Sequence, residues 1–353
     1  MIDRNYAEFA WEQASAVLGI DSPSGYTKEA ACWVKEKLEA MGFRAWITVK
    51  GGVMADLGGE GTEGGLMLAA HLDTLGAMVS QIKGDGRLKL TPLGGLEANN
   101  AETENVRVHT RDGGVVEGTI QLCNASVHVN GAYKTTQRSF DSIEVVLDAP
   151  VTGAEDVKAL GIRVGDMVCL DPRTRRTERG YLKSRFLDDK LSVGILLGLA
   201  KAVADRRVAL PRRVWLHFTV YEEVGHGGSG SLPEGVTEAV GVDMGCVGEG
   251  LGCSERQVSI CAKDSGGPYS YEVVTKLIRA AEDTGADYAV DVYPFYGSDV
   301  EATLRAGFDI RHGLIGPGVY ASHGYERSHM DGVYNTLKVL WGYVMGQSNI
   351  AKG

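Results

Sequence analysis

DDKLSVGILLGLAKAVADRR (188–207), followed by VWLHFTV (214–220) and Tyr221-Glu222-Glu223, decides how this chain is read. The first segment reads as a helix and the second as a strand. The same alternation continues to the C-terminus. AVGVD (239–243) and VSICA (258–262) are strands. A helix near 270–284, a strand at DYAVDVY (287–293), a helix near 299–306, a strand at DIRHGLI (309–315) and a helix near 328–345 follow. Strands alternating with helices give a mainly parallel sheet flanked by helices on both faces. Upstream, the pattern predicts a helix over 5–18 and, after the loop IDSPSGY (20–26), a helix from Thr27 to Met41. Its Ala30, Val34, Leu38 and Met41 share helical spacing, Thr27 is its N-cap and Gly42 its stop. FRAWITV (43–49) alternates like a strand. LMLAA (66–70) is the continuous apolar run of a buried parallel strand.

Between about Ala77 and Pro172 the texture changes. AMVSQI, GDG and RLKLTPL read as a hairpin, RVHT, RDGG and VVEGTIQL as another, and SIEVVLDA as a further strand. A short helix near 154–160 precedes IRVGDMVCLDP. The expected architecture is therefore α/β, with one main domain over 1–75 and 168–353. A small β-rich domain, a barrel or sandwich in size, is inserted at 76–167.

Composition narrows the function. With 36 Lys+Arg against 46 Asp+Glu in 353 residues, the net charge of −10 argues against a general nucleic-acid partner. The 44% hydrophobic content argues against disorder. No stretch approaches the ~20 apolar residues of a membrane span. MIDRNYAEFAWEQ has no basic segment leading into an apolar core, so no secretory signal is visible. The six cysteines form no CxxC pair, and Cys246 and Cys253 read as small buried thiols rather than metal ligands. Cytoplasmic residence is the expectation. Gly 48 against Pro 9 reads as many tight turns.

Three strands end in candidate chemistry. LMLAA runs into His71-Leu72-Asp73, VWLHFTV into Tyr221-Glu222-Glu223, and AVGV into Asp243. In open α/β sheets the site lies beyond the carboxyl ends of the strands. Asp188-Asp189 opens a helix, whose N-terminus tolerates carboxylates. ASHGYERSH (321–329) supplies His323 and His329. Carboxylates gathered in one cleft need cations. Imidazole with carboxylate and no thiolate suits zinc, cobalt or manganese. Such a set can hold two metals about a shared carboxylate, with a spare glutamate as general base. Singly, each piece has a bland reading as a core histidine, a solvated strand end or a helix cap; their shared place at strand ends joins them. Because adjacent residues at an extended strand end point to opposite sides, one of Glu222 and Glu223 can be ligand and the other base. His217, inside an apolar strand, is expected to be a hydrogen-bonded core residue.

The segments HLDTLGAMV, FLDDKLSVG, TVYEEVGHGGSG, GVDMG and SHGYE, in this order, resemble the tetrahedral aminopeptidase family of dinuclear metallopeptidases. SPSG and LGIRVGD extend the resemblance over nearly the whole chain. It implies that His71 and Asp243 hold one metal, that Glu223 and His323 hold the other, and that Asp188 bridges both. It further implies Glu222 as the base and Asp73 as the residue orienting His71. The implied cofactors are two divalent ions, zinc first, with cobalt or manganese as alternatives. The implied substrate is a small peptide or dipeptide amide, and the implied assembly a homo-oligomer of dimers building to a dodecamer. The β-rich block falls between His71 and Asp188, where this family carries its extra domain. Related carboxypeptidase-like deacylases carry a later insertion. Three departures bear on specificity: Lys190 in place of an Arg, His226 after the Glu pair, and VYAS (319–322) before the last His. HLDTLGAMV, AKDSGGP and SHGYERSHMD look most like a bacterial branch associated with the osmoprotectant N-acetylglutaminylglutamine amide. A metal-dependent deacylase and a non-catalytic binding protein retaining the fold are the rival readings.

Overall fold

The apolar run at 66–70 becomes a strand buried at every position, in the middle of a large sheet. The computed structural model describes residues 2–346. It separates into two units, one made of the chain up to Asp73 and from Thr174 onward, the other of Thr74–Arg173.

The first unit opens with α1 (Asn5–Leu18), α2 (Lys28–Ala40), β1 (Arg44–Ile47), β2 (Val53–Gly58) and β3 (Gly65–His71). The second holds β4 (Gly76–Ile82), β5 (Leu88–Leu93), α3 (Ala98–Ala101), β6 (Asn105–His109), β7 (Val115–Leu122), β8 (Ile143–Leu147), α4 (Ala154–Ala159) and β9 (Met167–Leu170). The chain then returns to the first unit. It forms β10 (Arg175–Arg176), β11 (Tyr181–Ser184), α5 (Leu187–Arg206), β12 (Val214–Thr219), β13 (Val236–Val242), β14 (Gly245–Val247) and β15 (Val258–Lys263). Last come α6 (Tyr271–Thr284), β16 (Tyr288–Val292), α7 (Asp299–Arg305), β17 (Arg311–Tyr320), β18 (Glu326–His329) and α8 (Met330–Val344). No helix among the described residues is long and apolar enough to cross a membrane.

The sheet of the first unit runs β1-β2-β12-β3-β13-β17-β18-β11-β10. Its centre is parallel, through β12, β3, β13 and β17. Its flanks are antiparallel, which makes the whole sheet mixed. The reason is local. β1 and β2 are joined by a turn closed by Thr48 and Gly52, too short for the crossover a parallel pair needs. The last helix begins at Met330 rather than near 328, because Glu326–His329 pairs with β11.

α5 packs against α1 and α8 and touches β3 and β17. Its two glycines are not turn residues. A Cβ on Gly194 would stand 2.3 Å from the Ala10 carbonyl oxygen, and one on Gly198 2.9 Å from that of Tyr6. Each glycine costs the helix about 1 kcal/mol relative to alanine. Close seating of α1 on α5, over Ala10 and Ala14, offsets that cost.

The second unit closes into a six-stranded antiparallel barrel, β4-β5-β8-β7-β6-β9. Leu88, Leu90, Val106, Val108, Ile120, Leu122, Val145 and Val168 are buried in it. Their spacing of two along each strand is the pattern of a small filled barrel.

One buried charge cluster locks three elements of the first unit. Glu238, on β13, accepts from Arg212 (2.6 Å), Lys276 on α6 (3.0 Å) and the Tyr343 hydroxyl on α8 (2.5 Å). Although burial opposes ionisation, the Arg212 charge and these bonds hold its carboxyl at about 2, below the ordinary 4.5. The sign follows from linkage. The stabilisation is complete above pH 4.5 and is lost as pH falls toward 2. Glu238→Gln should therefore cost about 3 kcal/mol at neutral pH. The gap between wild type and variant in urea unfolding should shrink toward zero on acidification; a gap independent of pH would contradict this assignment.

Candidate active site

The site grows from neighbouring strand ends. β12, β3 and β13 lie side by side and parallel, so Glu222-Glu223, His71 and Asp243 emerge at one edge of the sheet. Asp188 arrives from the segment after β11, and His323 from the turn between β17 and β18.

His71 is almost fully buried. Its Nδ1 hydrogen-bonds the backbone carbonyl of Asp73 at 2.8 Å, while Nε2 lies 3.0 Å from Asp188 Oδ1 and 3.8 Å from Glu222 Oε2. The other Asp188 oxygen lies 3.6 Å from His323 Nε2, which is 3.8 Å from Glu223 Oε2. Two groups of potential metal donors result, His71–Asp188–Asp243 and Asp188–Glu223–His323. Within each, the donor atoms lie within 4.8 Å of one another, and Asp188 belongs to both.

Two local expectations are corrected. Asp188 and Asp189 do not sit in the first helical turn. Their backbone is non-helical, Asp188 at φ −78°, ψ 101°, and the peptide joining them is cis. They interrupt the start of α5, whose regular part begins beyond them, leaving Asp188 free to reach both histidines, while Asp189 Oδ2 accepts the His71 backbone N–H at 3.2 Å. Glu222 and Glu223 are likewise not at an extended strand end. Tyr221, left-handed at φ 68°, ends the strand, and Glu222–Val224 form one 3₁₀ turn closed by Gly225 at φ 81°. The turn, not the pleat, sends the two carboxylates toward different histidines.

Asp73 acts through two different atoms. Its backbone carbonyl orients His71, while its carboxylate, 3.8 Å from the His71 ring, accepts the backbone N–H groups of Glu222 (3.1 Å) and Glu223 (3.4 Å) and the Ser24 hydroxyl (2.5 Å). The SPSG segment thus braces the Glu pair through Asp73. Lys50 braces the following loop, its Nζ donating to the carbonyls of His226 (2.5 Å), Gly227 (2.7 Å) and Ser229 (2.6 Å). From the other side Asp299 crowds that loop. A Cβ on Gly227 would lie 1.8 Å from Asp299 Oδ1, so only glycine passes there. Ser24, Lys50, Asp189, Asp299 and Glu326 all escape a strand-end reading. Ser24 lies in the quoted SPSG, Asp189 in FLDDKLSVG and Glu326 in SHGYE-Arg327's shared run ASHGYERSH, without a role being assigned to any of the three; Lys50 and Asp299 leave no trace.

Other expected residues lie elsewhere. His329 caps α8, its Nδ1 accepting from Asp331 N–H at 3.0 Å and its Nε2 donating to the Arg179 carbonyl at 2.8 Å. Lys190 is buried and donates to the Ile20 carbonyl at 2.6 Å. His226 is exposed. His217 is a buried core residue, but its Nδ1 has no hydrogen-bond partner among the described residues. Burial, with the Lys50 charge, pushes it down to about 3, so it packs as a neutral ring.

The electrostatics describe a cavity built for cations. Burial pushes Glu222, Glu223 and Asp189 well above the carboxylate range and Asp243 up to about 7, with Asp188 and other negative neighbours adding to the effect. Asp188 alone among them is held low: burial opposes its ionisation, but the hydrogen bond to His71 and the charges of His71 and His323 together outweigh it. Carboxylates packed this closely ionise together only when positive charge joins them. Glu223 Oε1 is buried without a hydrogen-bond partner among the described residues, an unmet acceptor of the kind a metal ion satisfies. The thiol-free donor set fits zinc, cobalt or manganese.

The sequence profile of the M42 glutamyl aminopeptidase family matches residues 51–339, a span holding every residue of both donor groups. The chain belongs to this family. The M42 chain is thus an aminopeptidase, a hydrolase of peptide bonds. It is 41% identical over 333 residues to the protein YhfE of Bacillus subtilis (strain 168), covering 94% of this chain and 96% of that one. In fold it is similar to an aminopeptidase from the archaeon Desulfurococcus kamchatkensis, with a TM-score of 0.85, 23% identity and coverage of 97% and 96% of the two chains. It is similarly close to the TET1 peptidase of Pyrococcus horikoshii, with a TM-score of 0.84, 21% identity and coverage of 95% and 99%. That peptidase assembles into a tetrahedron or a large octahedral shell.

Proposed function

We propose that this M42 chain is a two-metal aminopeptidase. The observation that carries the reading is the single carboxylate of Asp188 shared by two donor groups. In this reading His71 and Asp243 hold one ion, Glu223 and His323 the other, and Asp188 bridges them. Zinc is the first choice, with cobalt or manganese as alternatives. Bound there, the ions would polarise the scissile carbonyl and activate water. Glu222 accepts the proton of the attacking water and returns it to the leaving amine. Asp73 serves this step indirectly, by holding the turn that presents Glu222 and by fixing the His71 ring.

The substrate in this reading is a small peptide with a free N-terminus. A small dipeptide amide is the finer alternative, supported by the sequence segments that resemble the branch associated with N-acetylglutaminylglutamine amide. The six cysteines are free thiols, which supports a reducing compartment such as the cytoplasm. The proposed assembly is a homo-oligomer of dimers building to a dodecamer; the tetrahedral and octahedral assemblies of the Pyrococcus horikoshii peptidase support a large homo-oligomer.

A substrate panel tests the specificity. The metal-loaded protein should cleave aminoacyl substrates at least ~10-fold faster than their N-acetylated counterparts, the scale of one charge-assisted contact to the free amine. The reverse preference would establish the deacylase alternative instead.

A further inference from the structure

Glu326 lies three residues beyond His323, at the first position of β18, opposite Ser184 of β11. The strand β11 runs directly into Asp188, and the turn before β18 carries His323, so one antiparallel ribbon delivers two of the proposed metal ligands. Glu326 is 2% exposed. Its Oε1 accepts the backbone N–H of His323 at 3.0 Å, and its Oε2 accepts the backbone N–H of Asp188 at 3.0 Å. The Leu187 N–H also donates to it. Its carboxylate thus spans the two segments that present Asp188 and His323.

Both segments need such a tie. His323 has a left-handed backbone, φ 63°, and Phe186, two residues before Asp188, is left-handed at φ 67°. Non-glycine residues occupy this region sparsely unless their surroundings hold them there. The chemistry selects a carboxylate. Three N–H donors converge on its two oxygens, so both ends of the carboxyl group accept, although burial and the nearby Asp188 carboxylate push the group well above the ordinary carboxylate range. An amide offers one oxygen and turns its NH₂ toward an N–H on the other side.

We propose that Glu326 is a positioning residue. It fixes the Asp188 and His323 segments relative to each other and so sets the affinity of the site formed by Asp188, Glu223 and His323. The inference rests on the two-metal reading above. The His71–Asp243 side depends on it less, because its remaining ligands lie at the ends of β3 and β13, which Glu326 does not touch through these bonds.

Zinc titration of chelator-stripped protein, in competition with a chromophoric chelator, tests this without using activity. Wild type should bind two ions per chain; fewer would count against the two-metal reading itself, separately from the role of Glu326. In Glu326→Gln one site should weaken by about 10–100-fold, the usual effect of losing an outer partner of a metal ligand, while the other stays close to wild type. Glu326→Asp keeps the acceptor head but shortens its reach. It should weaken the same site by a smaller factor, and it supplies the measurement if the glutamine variant does not fold. Wild-type affinity at both sites in a folded variant, or equal loss at both, would overturn the proposal.

Discussion

Glu222→Gln should keep near-normal metal content while turnover falls by about 10²–10⁴-fold, the usual contribution of a positioned acid–base group. The amide preserves shape and removes the proton acceptor. The turn that carries residue 222 is held through its backbone N–H by Asp73, so the substitution leaves the frame intact. KM should change much less than kcat, because the remaining ligands and the pocket persist. Glu223→Gln should behave differently. It removes a carboxylate facing His323 and should weaken one metal site, with activity partly recovered in excess metal. Elemental analysis beside steady-state kinetics separates the two. Metal loss in Glu222→Gln with metal retention in Glu223→Gln would exchange the roles. Full activity and normal metal content in both would end this form of the hydrolase mechanism.

Asp188→Ala should lose both ions and with them essentially all activity. One oxygen of Asp188 is 3.0 Å from the His71 ring and the other 3.6 Å from that of His323, so no other side chain here serves both donor groups. Stripping the wild-type protein with a chelator should give the same inactive state, and zinc, cobalt or manganese should restore it. Two ions retained by the alanine variant would refute the bridge, and one retained would assign Asp188 to a single site. Full activity of verified metal-free wild type would remove the metals from the mechanism altogether.

Much of this site can be read along the chain because buried parallel strands announce themselves. LMLAA is a continuous apolar run and VWLHFTV one broken only by His217 and Thr219, and the polar residues that follow them fall at the sheet edge by geometry. What stays hidden is set by backbone conformation or by tertiary reach. Nothing in the composition around Tyr221 marks its left-handed backbone, so the Glu pair reads as a strand end when it is a 3₁₀ turn. Asp188-Asp189 resembles an acidic helix start because it directly precedes a strong helical pattern. Glu326 sits in a four-residue strand too short for periodicity to show, and its two partners lie on separate segments. Gly194 and Gly198 fall inside the helix read over 188–207, but nothing in that pattern marks that they admit the close approach of α1. His217 reads correctly as core, but the hydrogen bonding expected of it is missing at Nδ1, which has no partner among the described residues.

The place of β3 in the sheet has a consequence during synthesis. Both of its neighbours, β12 and β13, are encoded far downstream, beyond the whole barrel segment. At about 5–20 residues per second, a ribosome needs on the order of ten seconds to supply them. Throughout that interval this buried apolar strand, with His71 at its tip, has neither lateral partner. A nascent chain in that state carries an unpaired apolar edge until Val242 has emerged, the transient exposure that makes slow, non-local sheets prone to aggregation.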